Sequence, residues 1–249
     1  MKQCSQYFQR LLPYLIYVFI SVCAQAADGG ISLDQTRVIF GAEQRNKKVT
    51  LINQSDQVYL MNSRVLRSPD DGTAVPETLP FIVAPPLFRL ESDSRHTVTV
   101  VRNDTSELPA DRESVFYLSF LAIPSISKPT DNFADGGMQP QVSVGMRSVI
   151  KLFYRPEGLT LPVRDAAEKL VFTPQGQFLH VVNPTPYYLT LAQLQVNGRV
   201  VNTQEQGAMI APFSDRNYHI TGAAREVNWS VINDYGGHSR TYQIILQEK

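Results

Sequence analysis

Cysteine is scarce in this chain of 249 residues, and both of its cysteines, Cys4 and Cys23, precede Ala27. The sequence therefore predicts no disulfide after Ala27, so the burial of side chains must supply the stability of the fold. The chain also lacks a Gly-x-Ser-x-Gly segment, and its four histidines stand far apart without the paired spacing of metal ligands. These absences predict a protein that is not an enzyme and that needs no cofactor and no metal.

An excess of charge of either sign is missing as well. The whole chain has 23 basic and 23 acidic residues, and removal of the first 26 residues leaves 21 basic and 23 acidic ones. Nucleic-acid binding depends on a clustered basic surface that neutralises phosphates, and no such cluster is present. The charge pattern therefore predicts that nucleic acid is not a partner.

One apolar run, Leu11–Val22, is the longest in the chain, and it lies near the start. Lys2 and Arg10 precede it, and the small residues of Ala24–Ala26 follow it. This order is typical of a secretory signal peptide, which we assign to residues 1–26. A membrane anchor is the alternative, but the run falls short of the roughly 20 residues that span a bilayer. Cys23 as a lipid-attachment site is a second alternative, although the residues before it depart from the usual pattern.

Short runs of β-branched and aromatic residues recur twice along the chain, between turn residues and without long helical periodicity. This rhythm predicts an all-β protein with two immunoglobulin-like β-sandwich domains, residues 27–154 and 155–249. A hairpin turn is predicted at Asn197–Gly198. The main predicted strands contain Val49–Ile52, Tyr59–Met61, Phe81–Val83, Thr97–Val101, Val115–Leu121, Leu170–Phe172, Phe178–Val182, Tyr187–Leu191, Val227–Ile232 and Thr241–Leu246.

The stretch Gln141–Pro156 has the pattern of a strand that another protein uses. Val142, Val144 and Met146 alternate with small or polar residues, so their side chains project from one face. A nearly continuous apolar run then surrounds Lys151, as in a strand that enters a core buried on both sides. A fixed cation at the inner end of an apolar ladder suits an extended partner chain that ends in a carboxylate.

A second cation, Arg37, opens the β-rich run Thr36–Phe40 and can lie beside Lys151 if the two strands share a sheet. With these segments the chain resembles the periplasmic chaperones of the chaperone–usher pilus-assembly family. The resemblance implies two sandwiches at an angle, in an L-shaped molecule with a cleft. It also implies that Arg37 and Lys151 anchor the C-terminal carboxylate of a pilin, and that Val142, Val144 and Met146 belong to the donor strand.

Other segments resemble the family along most of the chain. Glu113, Arg155 and Asp234 occupy the positions of a charge network between the domains, where a guanidinium can bridge two carboxylates. Ala84–Pro85 matches a bond that is cis in the family, which the sequence alone does not decide. The polar stretch Ser125–Pro140 is expected to be a mobile loop, and its length leaves open the short-loop or long-loop subclass.

The function that the resemblance implies is a chaperone in the periplasm. It binds and stabilises fimbrial subunits by donor-strand complementation and delivers them to an outer-membrane usher. Which pilin and usher it serves stays open, as does whether the free protein caps itself as a homodimer. The alternative is a secreted immunoglobulin-like adhesive or carbohydrate-binding protein, for which Tyr187 and Tyr188 are candidate contact residues. A self-assembling pilus subunit is a further alternative, but such subunits are single incomplete domains.

Overall fold

The computed structural model describes residues 29–71, 78–125 and 144–246. The predicted signal peptide, Val142 and nearly all of the predicted mobile loop lie outside these ranges. Within them the protein consists of strands and very short helices. None of the described helices is long and apolar enough to cross a membrane.

The first domain is a sandwich of two sheets. One sheet has the order β1-β3-β7-β5, and the other has the order β2-β9-β8-β4-β6. All neighbouring strands are antiparallel except β2 and β9, which run parallel. The strands are β1 (Ile31–Leu33), β2 (Arg37–Gly41), β3 (Asn46–Asn53), β4 (Tyr59–Leu66), β5 (Phe81–Ala84), β6 (Leu87–Leu90), β7 (Arg95–Arg102), β8 (Ser114–Pro124) and β9 (Met146–Arg155).

The core of this domain is formed by every second side chain of its strands, because alternate side chains point to the same face of a sheet. In β3, for example, Val49 and Leu51 are fully buried while the residues between them are partly exposed. Aromatic rings fill the centre, with Phe81 contacting Phe40 at 5.0 Å and Phe116 at 5.4 Å between ring centroids. The Ala84–Pro85 peptide bond is cis.

The second domain has a separate core between a sheet of order β10-β11-β15 and a sheet of order β13-β12-β16-β17, in which β14 also pairs with β12. Its strands are β10 (Val171–Gln175), β11 (Phe178–Asn183), β12 (Leu189–Val196), β13 (Arg199–Val200), β14 (Met209–Ile210), β15 (Ser214–His219), β16 (Glu226–Val231) and β17 (Tyr242–Ile245). Its short helices are α1 (Val163–Ala166), a 3₁₀ turn (Ala167–Lys169) and α2 (Thr203–Gln206). The all-β prediction with two domains is confirmed.

The predicted hairpin at Asn197–Gly198 is also confirmed. Val196 pairs with Arg199 across it, and both turn residues have positive φ, 51° and 76°. Two positive φ values in succession are the mark of the type I′ turn, which Asn-Gly favours because glycine carries no side-chain penalty there.

Strand β9 differs from its prediction in two respects. The sequence predicts a strand from Val142, whereas the described strand begins at Met146. The run around Lys151 was expected to be buried on both sides, but Lys151 itself is only half-buried, and full burial begins at Leu152. The reason is that β2 covers β9 only from Lys151 onward, where the two strands start to pair.

Candidate functional site

The structure places Arg37 and Lys151 directly opposite each other on neighbouring parallel strands. Strands in a sheet lie about 4.8 Å apart, and paired residues project from the same face. That face looks toward the second domain, because the Nη1 of Arg37 donates a hydrogen bond of 3.1 Å to the carbonyl oxygen of Ile232. Two cations that are far apart in sequence therefore meet in the cleft between the domains.

Lys151 is a cation without an anionic partner among the described residues. It forms no hydrogen bond and no ion pair in the part of the chain that the structure describes. Burial, and secondly the repulsion of Arg37, lower its pKa from the usual value. Both effects oppose the charged form, so an anion that bound here would relieve an unfavourable state.

Arg37 is more deeply buried, with only 8% of its surface exposed. Burial lowers its pKa, although the carboxylates of Asp234 and Glu113 oppose this shift. Its Nε is buried and has no hydrogen-bond partner among the described residues. A buried donor without a partner is costly, so Arg37, like Lys151, is held in an unfavourable state in the free protein.

Aromatic side chains continue the same face of the sheet beyond the two cations. The guanidinium of Arg37 lies 5.7 Å from the centre of the Phe153 ring, and Phe153 packs on Tyr188 of the second domain at 5.6 Å. These residues line a cavity of about 270 Å³ between the domains. Arg37 thus lies at the edge of a cavity with largely apolar walls.

Glu113, Arg155 and Asp234 are brought together at the base of the cleft. The Nε of Arg155 donates to Glu113 at 2.8 Å, while its two Nη atoms donate to the carboxylate of Asp234 at 2.8 and 2.9 Å. One guanidinium therefore joins a carboxylate of the first domain to one of the second. This planar, bidentate arrangement fixes direction as well as distance, so it can hold the domains at a defined angle.

Glu113 is the buried member of this network. Burial raises its pKa, and the charge of Arg155 and the backbone N–H of Tyr188 oppose that shift. Its Oε2 accepts a hydrogen bond of 2.8 Å from that N–H, and its own backbone N–H donates to the carbonyl of Pro186 at 2.9 Å. Glu113, just before β8, is thus bonded to the loop before β12 through both its side chain and its backbone.

The first half of β9 has an open edge. From Met146 to Ile150 the strand pairs with β8 on one side, and no described strand pairs with it on the other. Met146 lies on the same face as Ile150 and Leu152, which pack on the domain core, but it is 49% exposed. Val144, just before the strand, is 71% exposed. The apolar row therefore continues past the end of the domain's own core, and Val142 lies outside the described residues.

Sequence reasoning missed two parts of the cleft. The carbonyl of Ile232, which holds Arg37, carries no side-chain signal, since every residue has a backbone oxygen. The contact between Phe153 and Tyr188 joins two domains, and each residue alone is typical of a strand interior. No group of three or more acidic, histidine or cysteine side chains among the described residues is arranged to hold a metal.

Models of protein families match both domains. Residues 30–160 match the N-terminal domain of PapD, a pili and flagellar-assembly chaperone, and residues 165–243 match the C-terminal domain of the pili assembly chaperone PapD. Two immunoglobulin-like domains around a cleft with an unpaired strand edge define a protein that binds other chains. The chain belongs to the PapD-like family of pilus-assembly chaperones.

Individual relatives agree with this assignment. The chain is 35% identical to the uncharacterized fimbrial chaperone YcbF of Escherichia coli over 92% of its length and 94% of the relative. It is 34% identical to the E. coli chaperone FimC over 91% of its length and 88% of FimC. The family is made up of chaperones, so the chain is not an enzyme.

Solved structures show the same fold. The crystal structure of the E. coli chaperone DraB matches with a TM-score of 0.73 and 34% identity, over 88% of this chain and 97% of DraB. The SafB chaperone of Salmonella enterica, in a structure with the SafA pilin, matches with a TM-score of 0.74 and 28% identity, over 89% of this chain and 99% of that one.

Proposed function

We propose that this protein is a periplasmic chaperone that binds fimbrial subunits by lending them a strand, and that it delivers them to an outer-membrane usher. The observation that carries the proposal is the open edge of β9, which ends at the paired cations Arg37 and Lys151. An unpaired strand edge presents backbone N–H and C=O groups that an extended partner chain can pair with.

The proposed direction of a bound strand is that of β2. β2 runs parallel to β9 and begins at Arg37, opposite Lys151. The edge of β9 before Lys151 therefore has no described strand beside it and can pair with another strand. A partner strand that ran in the same direction along β9 would have its C-terminal end at Arg37 and Lys151. The two cations would then bind its terminal carboxylate with charge-assisted hydrogen bonds and set its register.

The apolar row supports the second part of the mechanism. Val144 and Met146 are 71% and 49% exposed at the outer end of the apolar row, where Met146 borders a small cavity at the margin of the domain core. A subunit that lacks its own final strand exposes an apolar groove, and these side chains would fill alternate positions in it. Val142 would extend the row by one more position.

Delivery to the usher is the second part of the proposal. The lent strand covers the apolar groove of the subunit and keeps the subunit soluble. Another strand can later replace the chaperone's strand in that groove. Release needs no nucleotide and no metal, because exchange of one strand for another drives it. The relatives named as fimbrial chaperones, and the SafB structure with its pilin, support this assignment of partner and compartment.

The proposal is tested by co-expression of the signal-bearing chain in the periplasm with the fimbrial subunit encoded beside its gene. We expect a soluble one-to-one complex to co-purify, and we expect little complex with a subunit that lacks its last residues. If the intact subunit is recovered only as aggregate, or if the truncated subunit binds equally well, the proposed mechanism is wrong. Binding of the purified protein to oligosaccharides but not to a subunit would favour the adhesive alternative.

A further inference from the structure

The turn of the second domain that contacts Arg37 is tightly built. In the segment Ile232–Gly237, the N–H of Asn233 donates to the carbonyl of Gly237 at 2.8 Å, and the N–H of Gly236 donates to the carbonyl of Asn233 at 3.0 Å. The side-chain oxygen of Asn233 accepts from the N–H groups of Tyr235 and Gly237, each at 3.0 Å. These bonds give the turn one conformation.

Three contacts connect this turn to the first domain. The side chain of Asp234 binds Arg155, the carbonyl of Ile232 binds Arg37, and the backbone of Gly236 approaches Thr36. Thr36 is the residue before Arg37, so two of the three contacts lie at the beginning of β2. A displacement of the turn would therefore change the surroundings of Arg37 directly.

The contact with Thr36 restricts the space for a side chain at Gly236. A Cβ atom placed there would clash with the Oγ1 of Thr36, so the Thr36 side chain or the turn would have to shift. Gly236 also has a φ of 84°, a value that other residues adopt only with strain. Glycine at this position thus lets the two domains approach closely beside the anchor.

Arg37 shows the effect of this approach. An arginine side chain has five N–H donors in one plane, so a bond from one nitrogen orients the other two. The bond from Nη1 to the carbonyl of Ile232 orients the guanidinium, and within the described residues the side chain makes no other hydrogen bond. The plane is therefore set before any ligand arrives, and donors remain for one.

We infer that the turn Ile232–Gly237 is a positioning element of the carboxylate site: the second domain orients Arg37 through the carbonyl of Ile232, and Gly236 permits that approach. The inference rests on the proposed function, because it concerns the same anchor. It assigns to the second domain a direct part in the recognition of the subunit's C-terminus.

The test compares two forms of one peptide, the final strand of the cognate subunit with a free C-terminal carboxylate or with a C-terminal amide. The full-length mature protein is expected to prefer the free acid by at least about tenfold, since hydrogen bonds to charged groups are the stronger ones. In Gly236→Ala we expect that preference to fall several-fold while the affinity for the amide stays the same. A loss of both affinities in equal proportion would contradict a positioning role.

Two variants control for backbone strain. Gly222→Ala introduces the same strain at a φ of 83° but has open space around the new Cβ, so the preference should persist. Thr36→Ala combined with Gly236→Ala removes the Oγ1 that the new Cβ would strike, so it should restore most of the preference. If the double variant behaves like Gly236→Ala alone, the contact with Thr36 is not the cause and the inference fails.

A measurement on the wild type makes the test independent of how the variants fold. The side-chain nitrogen signals of Arg37 in the free protein should show two distinct Nη environments, because the bond to Ile232 restricts rotation of the guanidinium. A freely rotating guanidinium would overturn the inference. A wild type that binds acid and amide peptides equally would instead overturn the anchor of the proposed function, so the two failures can be told apart.

Discussion

The two halves of β9 differ in what they pack against, although they form one continuous strand. From Lys151 to Arg155 the strand lies between β2 and β8, and Leu152 is fully buried in the domain core. From Met146 to Ile150 it pairs only with β8 among the described strands, and Met146 is half-exposed. The inner half therefore belongs to the core of the first domain, whereas the outer half leaves apolar side chains partly exposed.

The two halves of β9 meet at a junction, Lys151, where two cations lie side by side. Lys151 is the first residue that β2 covers, and Arg37 is the first residue of β2. A strand bound to the outer half would end at Lys151, because from that residue onward β2 already pairs with β9. In the proposed mechanism, the length of β2 would set both the reach of the partner strand and the position of its carboxylate. Four predictions test this division.

The largest effect should come from charge in the outer half. Val144→Asp or Met146→Asp should abolish recovery of the subunit complex, because an ion would have to enter an apolar groove. The free chaperone should keep its stability to within about 0.5 kcal/mol, since these side chains are exposed. Co-purification and urea unfolding measure the two quantities.

Val200→Asp is the matched control for these two variants. Val200 in β13 has the same exposed fraction as Val144, 71%, but lies in the other domain. We expect it to change neither stability nor complex formation. If Met146→Asp lowers the stability of the free protein by several kcal/mol, the outer half belongs to the chaperone's own core and the division is wrong.

A substitution in the inner half should lower the stability of the free protein and leave subunit binding nearly unchanged. Leu152→Ala removes a fully buried side chain and should lower the free energy of unfolding of the free protein by about 2–5 kcal/mol. Where the variant is still folded, it should bind a subunit nearly as well as the wild type. Equal stability of variant and wild type in urea would show that this half is not part of the core.

Substitutions at the junction should affect capture, with little loss of stability at the half-buried Lys151 and a larger loss at Arg37, which is buried and bonded to Ile232. Arg37→Ala and Lys151→Met each remove hydrogen bonds to a carboxylate, which contribute roughly 1.5–3 kcal/mol, so each should weaken subunit binding by at least about tenfold. Titration calorimetry with the subunit's C-terminal peptide measures this loss. Lys169→Met, which removes an exposed lysine, serves as the control.

The difference in affinity between the wild type and Arg37→Ala or Lys151→Met should disappear when the peptide lacks its carboxylate. An amidated peptide should bind the wild type and Lys151→Met with similar affinity. A defect that persists with the amidated peptide would mean that Lys151 contributes through its shape or its aliphatic chain. In that case the anchor at the junction would not be electrostatic.

The smallest effect concerns the pH dependence of the free protein. The pKa of Lys151 is lowered by burial and by Arg37, so the folded protein holds this proton less tightly than the unfolded chain does. Below the lowered pKa the charge costs stability in full, and the cost vanishes as pH rises toward the ordinary value of 10.5. Lys151→Met should therefore raise the melting temperature at neutral pH.

Thermal unfolding at a series of pH values checks this prediction. The gain of Lys151→Met over the wild type should be largest at the lowest pH of the series and should shrink as the pH rises toward 10.5. A variant that is less stable than the wild type at neutral pH would indicate that Lys151 has a favourable partner in the free protein.

Much of the fold could be predicted because it depends on local patterns. The alternation of apolar and polar residues in β3, the Asn197–Gly198 turn and the clusters of short strands are readable within a few residues. Strands such as β6 and β15 were not singled out. β15 has only one fully buried residue, Tyr218, so its apolar signal is weak.

The candidate site was predictable only in part. Arg37, Lys151 and the three members of the charge network were named from sequence, mostly through the family resemblance, and the structure brings each set together. Nothing in the sequence pattern showed that β2 begins opposite Lys151 and leaves the outer half of β9 open. Pairing between segments more than a hundred residues apart is a long-range property.

The sequence by itself determined an all-β chain of two domains, an apolar ladder followed by a cation, and membership in a family, because these depend on residue types and their order. Only the tertiary structure decided where β2 ends the open edge, and that a backbone carbonyl from the second domain orients Arg37. The physical reason is that every residue carries the same backbone groups. Which of them meets a given side chain is settled only when two domains pack together.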